Sequence, residues 1–182
     1  SRLGVGVMLQ DVELTATLTA REHIALTASY YRSPLTLAQT LDVAGIGAIA
    51  DRRYGQLSGG QKRQVQFALA ICGRPRLLFL DEPSVGMDSQ ARESLWRSLR
   101  QMLADGCAIV LTTHYLEEAE ALADRVAVLA HGRLVADGSV AEVRARVSRK
   151  HIECDSVLTV EHLQQWPGVH AARRTAGRLQ LE

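Results

Sequence analysis

At 182 residues, with 47% hydrophobic and 23% charged side chains, the chain has room for one cored domain and a small appendage, and it is too apolar for a disordered segment. A net charge of +1 provides no basic stripe, which speaks against nucleic acid as a partner. No apolar stretch approaches the roughly 18–20 residues of a membrane span, and no signal-peptide pattern opens the chain, so any membrane role is expected to need a separate partner.

The elements follow in chain order. Val5 to Leu9 is a short apolar run expected to be a buried strand, with Gln10 and Asp11 at its end. Thr19-Ala20-Arg21-Glu22 has the form of a capping box and predicts a helix from Ala20 to about Tyr31, which Pro34 terminates. A second helix, from about Thr36 to Ala44, places Leu37, Leu41 and Ala44 on one side and stops at Gly45. Asp51 to Gln56 is polar and loop-like.

Ser58-Gly59-Gly60-Gln61 is again a capping box, opening a helix to about Cys72 with Val65, Ala68, Leu69 and Cys72 at helical spacing. After Gly73-Arg74-Pro75, the run Leu77-Leu78-Phe79-Leu80 predicts a buried parallel strand that ends on Asp81 and Glu82. Gln90 to Ala104 is an amphipathic helix with Leu95, Leu99, Met102 and Leu103 towards the core. Ala108 to Thr112 is a further strand, with His114 just beyond it and a short acidic helix from Tyr115 to Ala123. Arg125 to Leu129 and Arg133 to Ala136 form a predicted hairpin around His131-Gly132. From Ser139 the texture changes: a helix to about Val147, then Ser148-Arg149-Lys150 and a β-α-β-β pattern over Ile152 to Leu181. The alternation of strands and helices up to that point is the rhythm of an α/β fold with a parallel sheet. Cys72, Cys107 and Cys154 form no C-x-x-C pair and read as small buried hydrophobes in a reducing compartment.

Two stretches carry chemistry. A glycine pair opening a helix presents unpartnered backbone N–H groups to an anion, although the same residues also serve as a plain capped helix start. An apolar strand delivering two acids to the carboxyl edge of a sheet can supply a metal ligand and a base. Together they are the parts needed to hydrolyse a nucleoside triphosphate.

Leu57-Ser58-Gly59-Gly60-Gln61 resembles the signature motif of ABC-type ATPases, and Leu77 to Glu82 resembles their Walker B strand. The resemblance covers about residues 1 to 138 and implies a P-loop NTPase-like sheet with a helical subdomain near 35 to 72, followed by a small α+β accessory segment over 139 to 182. It implies ATP and Mg²⁺ as ligands. Ser58, Gly59, Gly60 and Gln61 would close over the γ-phosphate of ATP held by a second ATPase subunit in a head-to-tail dimer, homomeric or heteromeric. Asp81 would hold Mg²⁺, and Glu82 would act as general base. Gln10 resembles the Q-loop residue that meets Mg²⁺ and the attacking water. His114 resembles the switch histidine that contacts the γ-phosphate. Asp88, in Gly86-Met87-Asp88, resembles the D-loop that crosses the dimer interface, with a helix N-cap as its plainer role. Ser58 is expected to cap its own helix until phosphate arrives.

Function follows from the same resemblance: an ATPase subunit on the cytoplasmic face of the cell membrane, powering transport through a separate transmembrane permease subunit. Gly73-Arg74-Pro75 and the tail with Trp166-Pro167-Gly168-Val169 resemble the drug- and lipid-exporter branch. One departure is large. No G-x-x-x-x-G-K-[ST] occurs, so the phosphate-cradling loop is missing from these residues. N-terminal truncation is the expectation, since the chain opens at Ser1 inside a strand; a degenerate subunit is the alternative. On either account this chain alone is expected to bind ATP poorly and hydrolyse none, and to leave a sheet edge unpaired beside Ala108 to Thr112. Two other classes compete: a soluble ABC-type ATPase acting on DNA or ribosomes, and a non-hydrolytic regulatory subunit.

Overall fold

The computed structural model describes residues 4–147, 152–154, 158–166, 169, 172–175 and 178–181. It divides into two compact units, Ser1–Leu122 and Ala123–Glu182. The first is built on three parallel strands in the order β1 (Val5–Met8), β2 (Leu77–Asp81), β3 (Ala108–Thr112), with Val7, Phe79 and Val110 in one row of the register. The helices of this unit are α1 (Ala20–Ala28), α2 (Leu37–Ala44), α3 (Gly59–Ile71), α4 (Ser89–Ala104) and α5 (Leu116–Leu122). The α/β class expected from the alternation of elements is the class observed.

Capping chemistry sets the helix starts. Thr19 with Glu22, and Ser58 with Gln61, form reciprocal capping boxes as the sequence predicts, and Thr36 with Gln39 forms a third. Gly45 ends α2 in the left-handed conformation, with φ of 65°. Helix α3 is buried on most of its circumference, with Val65, Phe67, Ala68, Ala70 and Ile71 in the core beside the polar Arg63 and Gln66. It lies tight on β1 at Gly6, where a Cβ would stand 2.2 Å from the Ala70 carbonyl oxygen. A glycine in this strand is thus a contact point for helix backbone.

The three apolar runs are buried on one face only. Met8, Leu78 and Leu80 pack into the core with α3 and α4, whereas Val5, Val7, Phe79 and Val110 on the opposite face are 37–50% exposed. This corrects the expectation of fully buried strands: continuous apolar runs imply cover on both faces, and these residues supply it on one. Strands β1 and β3 each pair with β2 alone, so the expected open edge at 108–112 is joined by a second at Val5–Met8 among the described residues. Tyr54, in a segment that reads as a polar loop, is only 4% exposed and caps the core from a short 3-10 turn.

In the second unit, β4 (Val126–Ala130) and β5 (Arg133–Gly138) form the predicted antiparallel hairpin, turning at His131 and Gly132, whose φ values are 49° and 72°. Helix α6 (Val140–Val147) follows. The β-α-β-β pattern appears as β6 (Ile152–Cys154), α7 (Val160–Leu163), β7 (Ala172–Thr175) and β8 (Arg178–Leu181), an antiparallel sheet in the order β6-β8-β7. Ser148-Arg149-Lys150, Pro167 and Gly168 lie outside the described residues. No helix among the described residues is long and apolar enough to cross a membrane.

Candidate functional site

Parallel strands of equal reach deliver their last residues to one edge. Asp81 and Thr112 are register partners at the carboxyl ends of β2 and β3, and the Thr112 hydroxyl donates to Asp81 Oδ1 at 2.5 Å. The next residue, Glu82, donates its N–H to the Thr112 carbonyl at 3.1 Å and has a φ of 48°, in the left-handed region that L residues seldom occupy. Its Oε2 lies 2.8 Å from His114 Nδ1, with the Glu82 side chain 18% and the His114 side chain 60% exposed. Glu82 and His114 thus meet at the carboxyl ends of one sheet, a pairing the sequence did not announce.

His114 also lies against the Tyr115 ring, with centroids 4.0 Å apart, and the Arg92 guanidinium sits 5.4 Å from the other partner of that contact, Tyr115. Helix α5 is anchored behind them by the Trp96 indole, which donates to the fully buried Glu118 at 3.1 Å.

Ser58 and Gly59 are exposed at the start of α3, and Gly60 is half-buried. Ser58 Oγ accepts from the Gln61 N–H at 3.2 Å while Gln61 Oε1 accepts from the Ser58 N–H at 3.1 Å, so the serine caps its own helix. The two glycines differ. A Cβ on Gly59 would meet nothing within 4 Å, whereas one on Gly60 would stand 2.8 Å from the Gly86 carbonyl oxygen. Gly60 therefore serves contact with its own chain, at the loop leading to Asp88. Asp88 is the N-cap of α4, with Oδ1 accepting from the Ala91 N–H at 2.8 Å. A hollow of about 390 Å³ opens here, lined among others by Ser58, Gly60, Gln61, Gly86 and Asp88. Asp81, Glu82 and His114 are absent from its lining.

Gln10 follows β1 and is exposed; its carbonyl accepts from Arg63 Nη1 at 3.1 Å. Thr112 and Arg63 are the two residues of this edge that sequence reasoning did not single out. Thr112 is marked only by being the polar residue that closes an apolar run in register with Asp81. Burial pulls the Arg63 guanidinium below its ordinary pKa, against the upward pull of Asp81 and other nearby acids.

No cluster of three or more His, Cys, Asp or Glu suited to a metal occurs among the described residues. Asp81 nonetheless fits Mg²⁺, which takes one or two carboxylates and draws its remaining oxygens from phosphate and water. Its second carboxylate oxygen accepts no hydrogen bond among the described residues.

Comparison with known proteins places these features in context. The ABC transporter family profile matches residues 1–85. A Nod factor export ATP-binding protein I from Rhizobium sp. (strain N33) is 41% identical over 144 residues, covering 76% of this chain and 47% of that protein. An ATP-binding cassette solved as a dimer in a post-hydrolysis state with ADP and Pi superposes with a TM-score of 0.67 at 26% identity, over 74% of this chain and 62% of that one. The ATP-binding subunit of an ABC transporter gives a TM-score of 0.68 at 28% identity, over 80% of this chain and 62% of that one. The chain spans about half the length of the curated relatives it matches.

Proposed function

We propose that this chain, which is similar to the ABC transporter family over residues 1–85 and to exporter ATP-binding proteins over 76% of its length, serves in the intact protein as the ATP-binding and hydrolysing subunit of an exporter, working through a separate transmembrane partner. The observation that carries this reading is the pairing of Glu82 with His114 at the ends of β2 and β3, beside the hydroxyl-anchored Asp81. The exposed start of α3, with Ser58 and Gly59, supports the second half of it.

In this reading Glu82 takes a proton from the attacking water, His114 contacts the γ-phosphate, and Glu82 gives the proton up to the departing phosphate as the products part. The Ser58 hydroxyl and the N–H groups at the start of α3 donate to the triphosphate held by a second copy or a related subunit. Asp81 and Gln10 would hold Mg²⁺, which when bound neutralises charge on the phosphates. Asp88 keeps its capping role while its loop meets the partner. The domain reading remains a catalytic portion over 1–138 and an accessory segment over 139–182. The seat is the cytoplasmic face of the membrane, reached through the permease. The substance exported is set by that permease.

The test uses the intact protein with Glu82→Gln. Nucleotide binding stays within a few-fold of wild type and steady-state hydrolysis is lost, with an ATP-dependent dimer accumulating in gel filtration. Unchanged hydrolysis in that variant would overturn the reading.

A further inference from the structure

Arg63 is a long cation held almost wholly inside the fold, 8% exposed, with no carboxylate within ion-pair distance among the described residues. Its charge is met by oxygen dipoles. Nη1 donates to the carbonyls of Leu9 at 2.9 Å and Gln10 at 3.1 Å and to Gln66 Oε1 at 2.9 Å. Nη2 donates to the carbonyls of Asp81 at 2.6 Å and Glu82 at 2.5 Å, while Nε is buried without a hydrogen-bond partner among the described residues.

The two carbonyls on Nη2 belong to the peptide groups on either side of the Glu82 Cα. Holding both oxygens on one nitrogen draws the two carbonyls together and so restrains the backbone turn at Glu82. That residue needs fixing, because its φ of 48° is disfavoured for any side chain and because Pro83 follows, which pushes the preceding residue towards extended backbone. The direction of the Glu82 Cβ, and so the aim of its carboxylate at His114, depends on that turn. Nη1 extends the same grip to the segment carrying Gln10.

We propose that Arg63 is a positioning residue for Glu82: its guanidinium holds the left-handed turn at the end of β2 that aims the carboxylate at His114. The role rests on the reading of Glu82 as the base. A planar fork is required, since a lysine ammonium in the same place keeps the charge and cannot span both pairs of carbonyls.

The experiment compares wild type, Glu82→Gln and Arg63→Lys in the intact protein, with rates normalised to folded, nucleotide-binding molecules. Arg63→Lys is expected to lower kcat at least tenfold while KM and nucleotide Kd stay within threefold. A kcat within twofold of wild type would overturn the proposal, as a purely structural role lowers the folded fraction and leaves the normalised rate alone. If wild type fails to hydrolyse ATP, or Glu82→Gln hydrolyses it normally, the ATPase reading fails, and the positioning role is judged by stability alone. That readout is the difference in unfolding midpoint between the Glu82→Gly and Glu82→Gln variants, since glycine tolerates positive φ. The midpoint rises more in the Arg63→Lys background than in the parent; an equal rise overturns the proposal. Should Arg63→Lys not fold, the Arg63→Lys/Glu82→Gly double variant regains the fold, and a double variant that stays unfolded overturns it as well.

Discussion

His114 Nδ1 and Glu82 Oε2 stand 2.8 Å apart, so the acid and the histidine of the proposed site are partners in a single copy. An ionised carboxylate only accepts, which places the ring hydrogen on Nδ1 and leaves Nε2 of the neutral ring an acceptor. Donation from Nε2 to a phosphate then requires either the imidazolium form or an opening of the Glu82 contact. His114→Ala in the intact protein is expected to lower turnover about 100- to 1,000-fold with nucleotide affinity little changed. Nitrogen NMR of the imidazole in the wild-type chain is expected to find the proton on Nδ1.

Ser58 has two tasks to separate. As a helix cap its loss costs stability, and Ser58→Ala is expected to remove about 1 kcal/mol from the unfolding free energy in urea. Ser58→Gly retains most of that stability. If the hydroxyl also serves phosphate, both variants weaken ATP-driven dimerisation of the intact protein, whatever their stability.

The glycine pair predicts opposite outcomes for one substitution. Gly60→Ala drives a methyl group into the backbone at Gly86 and is expected to cost about 1–3 kcal/mol. Gly59→Ala faces open space in the first turn of α3 and leaves thermal stability unchanged or slightly raised. Its effect is expected instead in ATP-dependent association, because the methyl group stands where a phosphate would approach.

Burial pushes the Cys72 thiol up to about 11, because the thiolate is the form the core disfavours. The folded-state value is raised, so the contribution to stability is complete below the unfolded value near 9 and is lost as pH climbs towards 11. Denaturation curves between those values should therefore shift to lower urea as pH rises, and Cys72→Ala should flatten that trend. The raised Tyr54 phenol acts in the same direction and leaves a residual slope. Alkylation at pH 8 is expected at the half-buried Cys154 before the buried Cys72 and Cys107.

What the sequence discloses is local. The capping boxes at Thr19 and Ser58 are complete within four residues, and the acids at 81 and 82 are announced by the apolar run before them. What it hides is set by distant partners. Arg63 and Gln66 read as polar positions on a helix, yet they are buried because carbonyls 54 and 18 positions away in the chain converge on the Arg63 fork. The left-handed Glu82 has no local signal either, since glutamate before proline favours extended backbone. Gly6 looks like a weak point in a strand until Ala70 is found against it. Tyr54 is buried because Gln66 Nε2 reaches its hydroxyl from α3, at 3.1 Å.

The outward row of Val5, Val7, Phe79 and Val110 bears on any measurement of this chain by itself. Fully covering such side chains stabilises by about 1.5–3 kcal/mol each, so with roughly half of that gain already realised, the wetted remainder amounts to about 3–6 kcal/mol. An ordinary domain is held by only about 5–15 kcal/mol in total. Whatever covers those four side chains accordingly shifts the melting temperature by as much as a large truncation in the interior, and concentration, salt and detergent become variables of the first rank in every unfolding experiment.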